Sequence, residues 1–499
     1  MSNTFFEIFE NKITRVFFLF VIFCCILGAL VQWVGLPSID HDELEAIRWG
    51  ATKSWFVDKH PPLVGFISYW WATFTGFNNF GFFLLSKIFA ISSLIIIYSL
   101  NRQFLSIHFS LIATAAYAST YAYVSLMSQL DANGILHPLW PLFCLTLWKT
   151  LNSNKLTYWI LLGIVSSLTI LGKYQSALLL LTALGIILSS KVFRKYLIEF
   201  KIYLSLIIFI SILSPHFYAY VHSDYSLTKY ILARGIEGNN VFTGRLSILP
   251  FLLTQVLTWL FGYLILILSL RKNLKLNILQ ENLNLNNSKT HFLFFMGLIL
   301  PISPIIVSLS SGATLLGSWG LVSWFLFPTL ILTLFKDETK GLKLQPYLYF
   351  VPIYMFIMAL IVFLNNYYEI ARPTPIPTAM RLIDQHWSNK SNATLNTVVT
   401  NSRPAQGMSF YSKYKPQVIF GKANQFTWIL DSNKCTNGPT LVITDNTKTG
   451  ANFIKNQVKM AGSPIFSTTI SVGPQKYKAT TTSKLSFNLT GYLQPICFH

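Results

Sequence analysis

Residues 13–34 read ITRVFFLFVIFCCILGALVQWV, and residues 40–62 read DHDELEAIRWGATKSWFVDKHPP. The first stretch carries one charge, Arg15, and as a helix has the ~20 apolar residues that crossing a bilayer needs. Its apolar core is too long for a signal peptide and lacks a small-residue cleavage site, so it reads as a retained first span. The second stretch crowds acids, bases and a double proline directly behind it. A chain that leaves a membrane and at once displays Asp42, Glu43, Lys59 and His60 is placing polar chemistry at a membrane surface.

The rest of the chain extends that reading. Of 499 residues, 53% are hydrophobic and 11% charged, against about 25% charged in soluble domains. Apolar runs recur near 81–100, 108–128, 133–150, 157–171, 174–190, 200–221, 247–270, 291–310, 315–335 and 346–364. With the first they predict a polytopic helical membrane protein of about eleven spans. The run 62–76, with Tyr69-Trp70-Trp71, is short and aromatic and reads as an interfacial helix.

The net charge of +20 does not point to nucleic acid, because the bases sit in short loops between apolar runs. Arg102, Lys149, Lys155, Lys191, Arg194, Lys195, Lys201, Arg271, Lys272, Lys275, Lys336, Lys340 and Lys343 fall on one side under this count. That side is expected to be cytoplasmic. The N-terminus is then cytoplasmic. The segment 35–80, the turn at 129–132, the loop 222–246 and everything after 364 lie outside.

From Asn365 the composition turns to Asn, Thr, Ser, Lys and Pro. Short β-type runs appear at TVVT (397–400), PQVIF (416–420) and TLVIT (440–444). The expected division is therefore 1–364 in the membrane and 365–499 as a small α/β domain outside it. Cys24, Cys25 and Cys144 lie in apolar runs. Cys435 and Cys497 lie in the tail and can pair if it faces an oxidising compartment. No Cys/His spacing fits a zinc site. Three sequons, at Asn389, Asn392 and Asn488, are frequent by chance in so Asn-rich a chain.

Chemistry needs titratable groups at the outer face. A helix from about Asp42 to Ser54 puts Asp42 and Glu45 on one side and Glu43 and Ile47 on another. Acids in a first turn can simply cap a helix; that is the expectation for Glu45, while Asp42 is expected to act chemically. Asp131, in SQLDANG, is the only acid between Glu45 and Glu199 apart from Asp58. It is expected both to cap the next span and to act. Pro61-Pro62 hold Lys59 and His60 at head-group depth, where phosphate is the anion to meet. Lys173 divides two short apolar runs, and an intramembrane lysine is a functional candidate. His222, Asp224, Arg234 and Arg245 share one outer loop. Each is individually a solvated residue, and together they could bind phosphate or sugar hydroxyls.

The order DHDELEAIRWG, DKHPPLVGFISYW, SQLDANGILHPLWPLFCL, ILGKYQSALLLL resembles the bacterial branch of the dolichyl-phosphate-mannose–protein mannosyltransferase-like family. That branch includes the lipid A aminoarabinose transferases, and its members are integral membrane glycosyltransferases of the GT-C superfamily. Asp42-Glu43, His60-Pro61-Pro62, Asp131-Ala132-Asn133 and Gly172-Lys173-Tyr174 carry the resemblance, and AQGMSFYSKYKPQVIFGKANQFTWI (405–429) is similar to a segment of the family's external domain. Asn133 stands where the family usually has proline, and Gly172 where it has serine or threonine. The resemblance implies a GT-C fold, a sugar donor on undecaprenyl or another polyprenyl phosphate, and an acceptor on the outer face of a bacterial inner membrane. Lipid A or a related envelope glycolipid is the favoured acceptor; protein O-glycosylation is the alternative. It further implies Asp42 as general base, with Asp131 and Glu43 beside it, and Lys59, His60, Lys173 and Arg234 on the donor phosphate. His222, Asp224 and Arg245 are weaker substrate contacts. A divalent metal on Asp42 and Asp131 is left open. A lipid-linked-sugar flippase is the rival from another class; the absence of an internal repeat and the large outer segments weigh against it.

Overall fold

The computed structural model describes residues 10–57, 60–223, 241–270, 284–335, several positions between 350 and 364, and 374–422, 425–426, 435–445, 458–459, 463–477, 480–481 and 483–498. Lys59, Asp224, Arg234, the basic segments at 271–283 and 336–349, and most of the run 346–364 lie outside the described residues. The rest fall into two compact units, one within Met1–Gly28, Ser86–Pro215 and Ser226–Met358, the other within Ala29–Leu85, His216–Tyr225 and Ala359–His499.

The helices, in chain order, are α1 (Lys12–Gly35), α2 (His41–Ala51), α3 (Leu63–Phe74), α4 (Asn79–Asn101), α5 (Ile107–Ala118), α6 (Tyr121–Ser128), α7 (Leu136–Ser153), α8 (Leu156–Gly172), α9 (Ser176–Ser189), α10 (Phe200–Val221), α11 (Val241–Thr258), α12 (Leu260–Leu270), α13 (Ser288–Ser311), α14 (Phe327–Leu334), α15 (Ile376–Lys390) and α16 (Met408–Tyr411). Among the described residues α1, α4, α10, α11 and α13 are long and apolar enough to cross a bilayer. The chain is a multi-pass membrane protein.

The breaks in the apolar runs have local causes. The run at 108–128 is two helices, not one, because Ser119 and Thr120 bond back to the carbonyls of Ala115 and Tyr117 at 2.8 Å each. Hydroxyls that satisfy the backbone locally let a helix stop inside an apolar stretch. The run at 247–270 is likewise interrupted, at Trp259 between α11 and α12. In α13 a π-helical turn, Phe295–Ile299, precedes Pro301 and Pro304; prolines lack the N–H that a regular ladder would use. The run at 315–335 yields 3₁₀ turns at Gly317–Trp319 and Ser323–Leu326 before α14. A buried polar knot ties the first unit. Asn101 donates to Thr114 at 3.2 Å and accepts from Thr329 at 2.6 Å, joining α4, α5 and α14.

The second unit holds a six-stranded sheet in the order β3-β2-β1-β4-β9-β6. Its strands are β1 (Thr397–Thr400), β2 (Gln417–Lys422), β3 (Gln425–Phe426), β4 (Thr440–Asp445), β6 (Phe466–Val472) and β9 (Leu485–Tyr492), with short β5 (Val458–Lys459), β7 (Lys476–Tyr477), β8 (Thr480–Thr481) and β10 (Cys497–Phe498) outside it. The three β-type runs expected from sequence are β1, β2 and β4. They are mutually parallel, with Val398 facing both Val418 and Leu441 in register. All four residues of β1 are buried, as a central parallel strand covered on both faces requires. β9 and β6 add an antiparallel edge. Trp387 of α15 is fully buried and donates to Ala393 O at 2.8 Å. Cys435 is disulfide-bonded, whereas Cys24, Cys25 and Cys144 are buried thiols. Thr436 exchanges two hydrogen bonds with Ile496, at 2.8 and 2.9 Å, beside Cys497.

Candidate functional site

The acids behind the first span open α2. The helix begins at His41 with Asp40 as N-cap, one residue earlier than expected. Asp40 Oδ1 accepts from the Asp42 N–H at 2.8 Å, and Glu43 Oε2 accepts from the Asp40 N–H at 3.0 Å. This reciprocal pairing is a capping box. The capping acids are therefore Asp40 and Glu43, not Glu45. Glu43 is only 1% exposed and its carboxylate closes the helix end. Asp42 sits in the same first turn and is exposed, with the helix N-terminus favouring its negative charge. Glu45 lies 3.8 Å from Arg48 on the next turn.

Arg48 is the residue that the sequence reading overlooked. It is fully buried, donates from Nε to Gln406 Oε1 at 3.0 Å, and lies over the rings of Trp49 and Phe420 at 5.8 Å each. A fully buried arginine needs partners, and only the Glu45-x-x-Arg48 spacing hinted at one. His60 packs its ring edge-on against Trp49 at 5.6 Å. Helices α2 and α3 touch at glycine: a Cβ on Gly50 would stand 2.0 Å from Gly65 O. His222 is exposed; its Nδ1 donates to Tyr218 O at 2.9 Å and its ring lies tilted against that of Tyr218 at 4.1 Å.

In the other unit, Asp131 closes a turn rather than capping a helix at Ala132. Its Oδ1 accepts from the N–H groups of Asn133 and Gly134 at 2.8 and 2.6 Å, and its Oδ2 from Asn133 Nδ2 at 3.1 Å. Helix α7 then starts at Leu136. Asn133 has a second partner: its Oδ1 accepts from the Lys173 ammonium. Carboxylate, amide and ammonium thus stand in one line. The sequence departure at 133 builds the bridge, since proline has neither the N–H nor the side-chain amide.

Lys173 is held by its own break. α8 ends at Gly172, Lys173 is extended, and α9 starts at Ser176. Ser176 Oγ donates to Thr169 O at 2.7 Å and accepts from Trp140 Nε1 at 2.9 Å, pinning α7, α8 and α9 around the lysine. Gly172 fits because a Cβ there would already press Leu139 at 3.3 Å. Below this turn His137 Nδ1 bonds the Tyr117 hydroxyl. Arg245 is exposed and donates to Leu309 O at 3.1 Å, a link between helices.

Elsewhere in the second unit Asp384 accepts from Ser412 Oγ and from the Lys413 N–H, each at 2.7 Å. Burial pushes its carboxyl above the usual range, against those bonds and the charges of Lys413 and Lys415. Lys415 lies with its ammonium 4.2 Å from the Phe77 ring centroid, and desolvation pushes it down to about 8. Among the described residues no group of three His, Cys, Asp or Glu side chains gathers to hold a metal ion.

Residues 59–218 match the family model described as dolichyl-phosphate-mannose-protein mannosyltransferase. The match takes in His60, Asp131 and Lys173 and begins after Asp42 and Glu43. No curated protein matches the chain in sequence. ArnT from Cupriavidus metallidurans shares the fold. Its apo crystal structure superposes with a TM-score of 0.57 at 10% identity, over 94% of this chain and 97% of that one. Its structure bound to undecaprenyl phosphate gives 0.58 at 10% identity, over 95% and 97%. These findings bear out the resemblance read from the sequence.

Proposed function

We propose that this chain, matched over residues 59–218 to the mannosyltransferase family and folded like ArnT, is an integral membrane glycosyltransferase. Its donor is a sugar on a polyprenyl phosphate, its active site faces outward from a bacterial inner membrane, and its acceptor is lipid A or a related envelope glycolipid. The observation that carries the reading is the Asp131–Asn133–Lys173 line. It joins a carboxylate in the turn before α7 to an ammonium at the break between α8 and α9, both inside the matched segment.

The reaction is a single inverting displacement. The acceptor oxygen attacks the anomeric carbon, and the bond from that carbon to the lipid phosphate breaks. Asp42 takes the proton of an acceptor hydroxyl, or orients an acceptor already ionised. The leaving group is a phosphate, so cations rather than an acid stabilise it; Lys59, His60, Lys173 and Arg234 are assigned that role. Glu43 supports Asp42 by holding the helix start. Asp131 positions Asn133 and Lys173. His222, Asp224 and Arg245 are assigned to weaker substrate contacts.

About eleven spans, a membrane portion over 1–364 and an outer α/β domain over 365–499 complete the proposal. The disulfide at Cys435, assigned here to Cys497, supports an oxidising compartment for that domain. Mass spectrometry of lipid A and total envelope glycolipids tests the reading, in cells with the intact gene, without it, and with Asp42→Asn. Loss of one sugar mass from lipid A in both defective strains supports it. Unchanged lipids overturn the acceptor, and a glycoprotein lacking its sugar would then favour protein O-glycosylation. A flippase would tolerate Asp42→Asn.

A further inference from the structure

Open parallel sheets leave their ligand crevice beyond the carboxyl ends of the strands, where successive connections leave to opposite sides. In this sheet that place is the end of β1, flanked by parallel β2 and β4. The protein's own side chains fill it. Asn401 and Asp445 bond each other twice, at 3.4 and 3.3 Å. Gln406, 2% exposed in the 3₁₀ turn Pro404–Gly407, presents its Oε1 to Arg48. Phe420, near the end of β2, lies under the same guanidinium.

The next turn grips the other end of the helix. Tyr411 accepts from the Ile39 N–H at 2.9 Å and donates to Asn79 Oδ1 at 2.8 Å. Asn79 Nδ2 in turn donates to Pro37 O at 2.9 Å. Phe410 packs on Phe77 and Phe82 at 5.7 and 5.9 Å. The segment packs closely on α15, where a Cβ on Gly407 would stand 2.5 Å from the Ile376 side chain.

We infer that residues 404–411 are a clamp that fixes the acid-bearing first turn of α2, with Gln406, Arg48 and Tyr411 as positioning residues. This rests on the role proposed above for Asp42. The guanidinium anchor and the Tyr411 anchor bracket Asp42, at a rise of ~1.5 Å per residue. Two fixed points define where a short helix lies and how far it can tilt. The crevice that other open sheets offer to a ligand is used here to hold a catalytic helix. The outer sheet is thereby part of the catalytic apparatus without contributing a reacting group.

The test uses the full-length protein in lipid nanodiscs, with Tyr411→Phe, Gln406→Leu and Gln406→Glu. Three quantities are measured: hydrogen exchange at the amides of residues 39–44, undecaprenyl phosphate binding, and turnover with a polyprenyl-phosphate sugar. Tyr411→Phe and Gln406→Leu are expected to lose protection at those amides and to lower turnover by ~10- to 100-fold. Undecaprenyl phosphate binding is expected to stay within about 3-fold, because among the described phosphate candidates only His60 touches the clamped helix, through Trp49 and not through its acid, while Lys173 is bonded to Asn133. Gln406→Glu keeps an oxygen acceptor for Arg48 and is expected to rescue both protection and turnover. Unchanged protection in Tyr411→Phe and Gln406→Leu overturns the clamp, as does full turnover in both. If the unaltered protein transfers no sugar at all, the function proposed above fails instead. Protection alone then decides the clamp, its loss supporting it and its persistence overturning it.

Discussion

Lys173 donates to the same Asn133 side chain whose amide donates to Asp131. Asn133→Asp replaces the bridging amide with a carboxylate, pairing directly with the ammonium and repelling Asp131. The expected outcome is a donor KM raised by ~10-fold or more, as a lysine neutralised by a neighbour contributes less to holding a phosphate. Asn133→Ala removes the bridge without adding charge and costs about 1 kcal/mol in stability. Steady-state kinetics against donor concentration, with thermal unfolding alongside, separates the two effects.

Asp42 and Glu43 are neighbours with opposite expectations. Asp42 is exposed, so Asp42→Asn should leave stability within about 0.5 kcal/mol while lowering turnover by ~100- to 10,000-fold. Glu43 is buried in the capping box. Glu43→Ala should destabilise by about 1 kcal/mol and lower activity through the helix it holds. Denaturation and turnover measured on both variants check the contrast.

The Asp384–Lys415 region makes stability depend on pH. Lys415 titrates near 8 in the folded protein, against 10.5 for the free group. Below pH 8 both states carry the proton. Between about 8 and 10.5 the unfolded chain retains a proton that the folded one has lost, so stability rises with pH across that window. Asp384 has the opposite sign on the acid side. Its folded carboxyl titrates above 3.8, so its contribution is greatest at low pH and falls as pH rises through that raised value. Thermal unfolding of Lys415→Met should lose the alkaline rise, and that of Asp384→Asn the acid-side fall.

The cysteines give a direct chemical readout. Alkylation of the denatured, unreduced protein should label Cys24, Cys25 and Cys144 only, and prior reduction should add Cys435 and Cys497. Replacing Cys435 with serine should destabilise the second unit by about 2–4 kcal/mol, visible as a lowered unfolding midpoint. Five labelled cysteines without reduction would place the tail in a reducing compartment and overturn the proposed orientation.

The sequence by itself determined whatever depends on neighbours along the chain. A run of apolar residues must be helical in a bilayer, because only a helix satisfies its backbone internally; α1, α4 and α10 lie within a residue or two of the expected bounds. TVVT, PQVIF and TLVIT became the parallel strands because β-branched residues covered on both faces leave few alternatives. The break at Gly172–Lys173 was equally visible. The tertiary structure alone decided which polar groups are spent on architecture. Glu43 reads as a plain neighbour of Asp42 until the capping box shows its carboxylate on the Asp40 N–H. Asn133 looks like a lost proline until Lys173, 40 positions away, is seen bonded to it. Arg48 looks like an ordinary helix-surface base until its partner Gln406, 358 positions distant, is seen bonded to it. A buried charge survives only where a partner meets it, and no local pattern in the chain records a partner that folding brings from so far away.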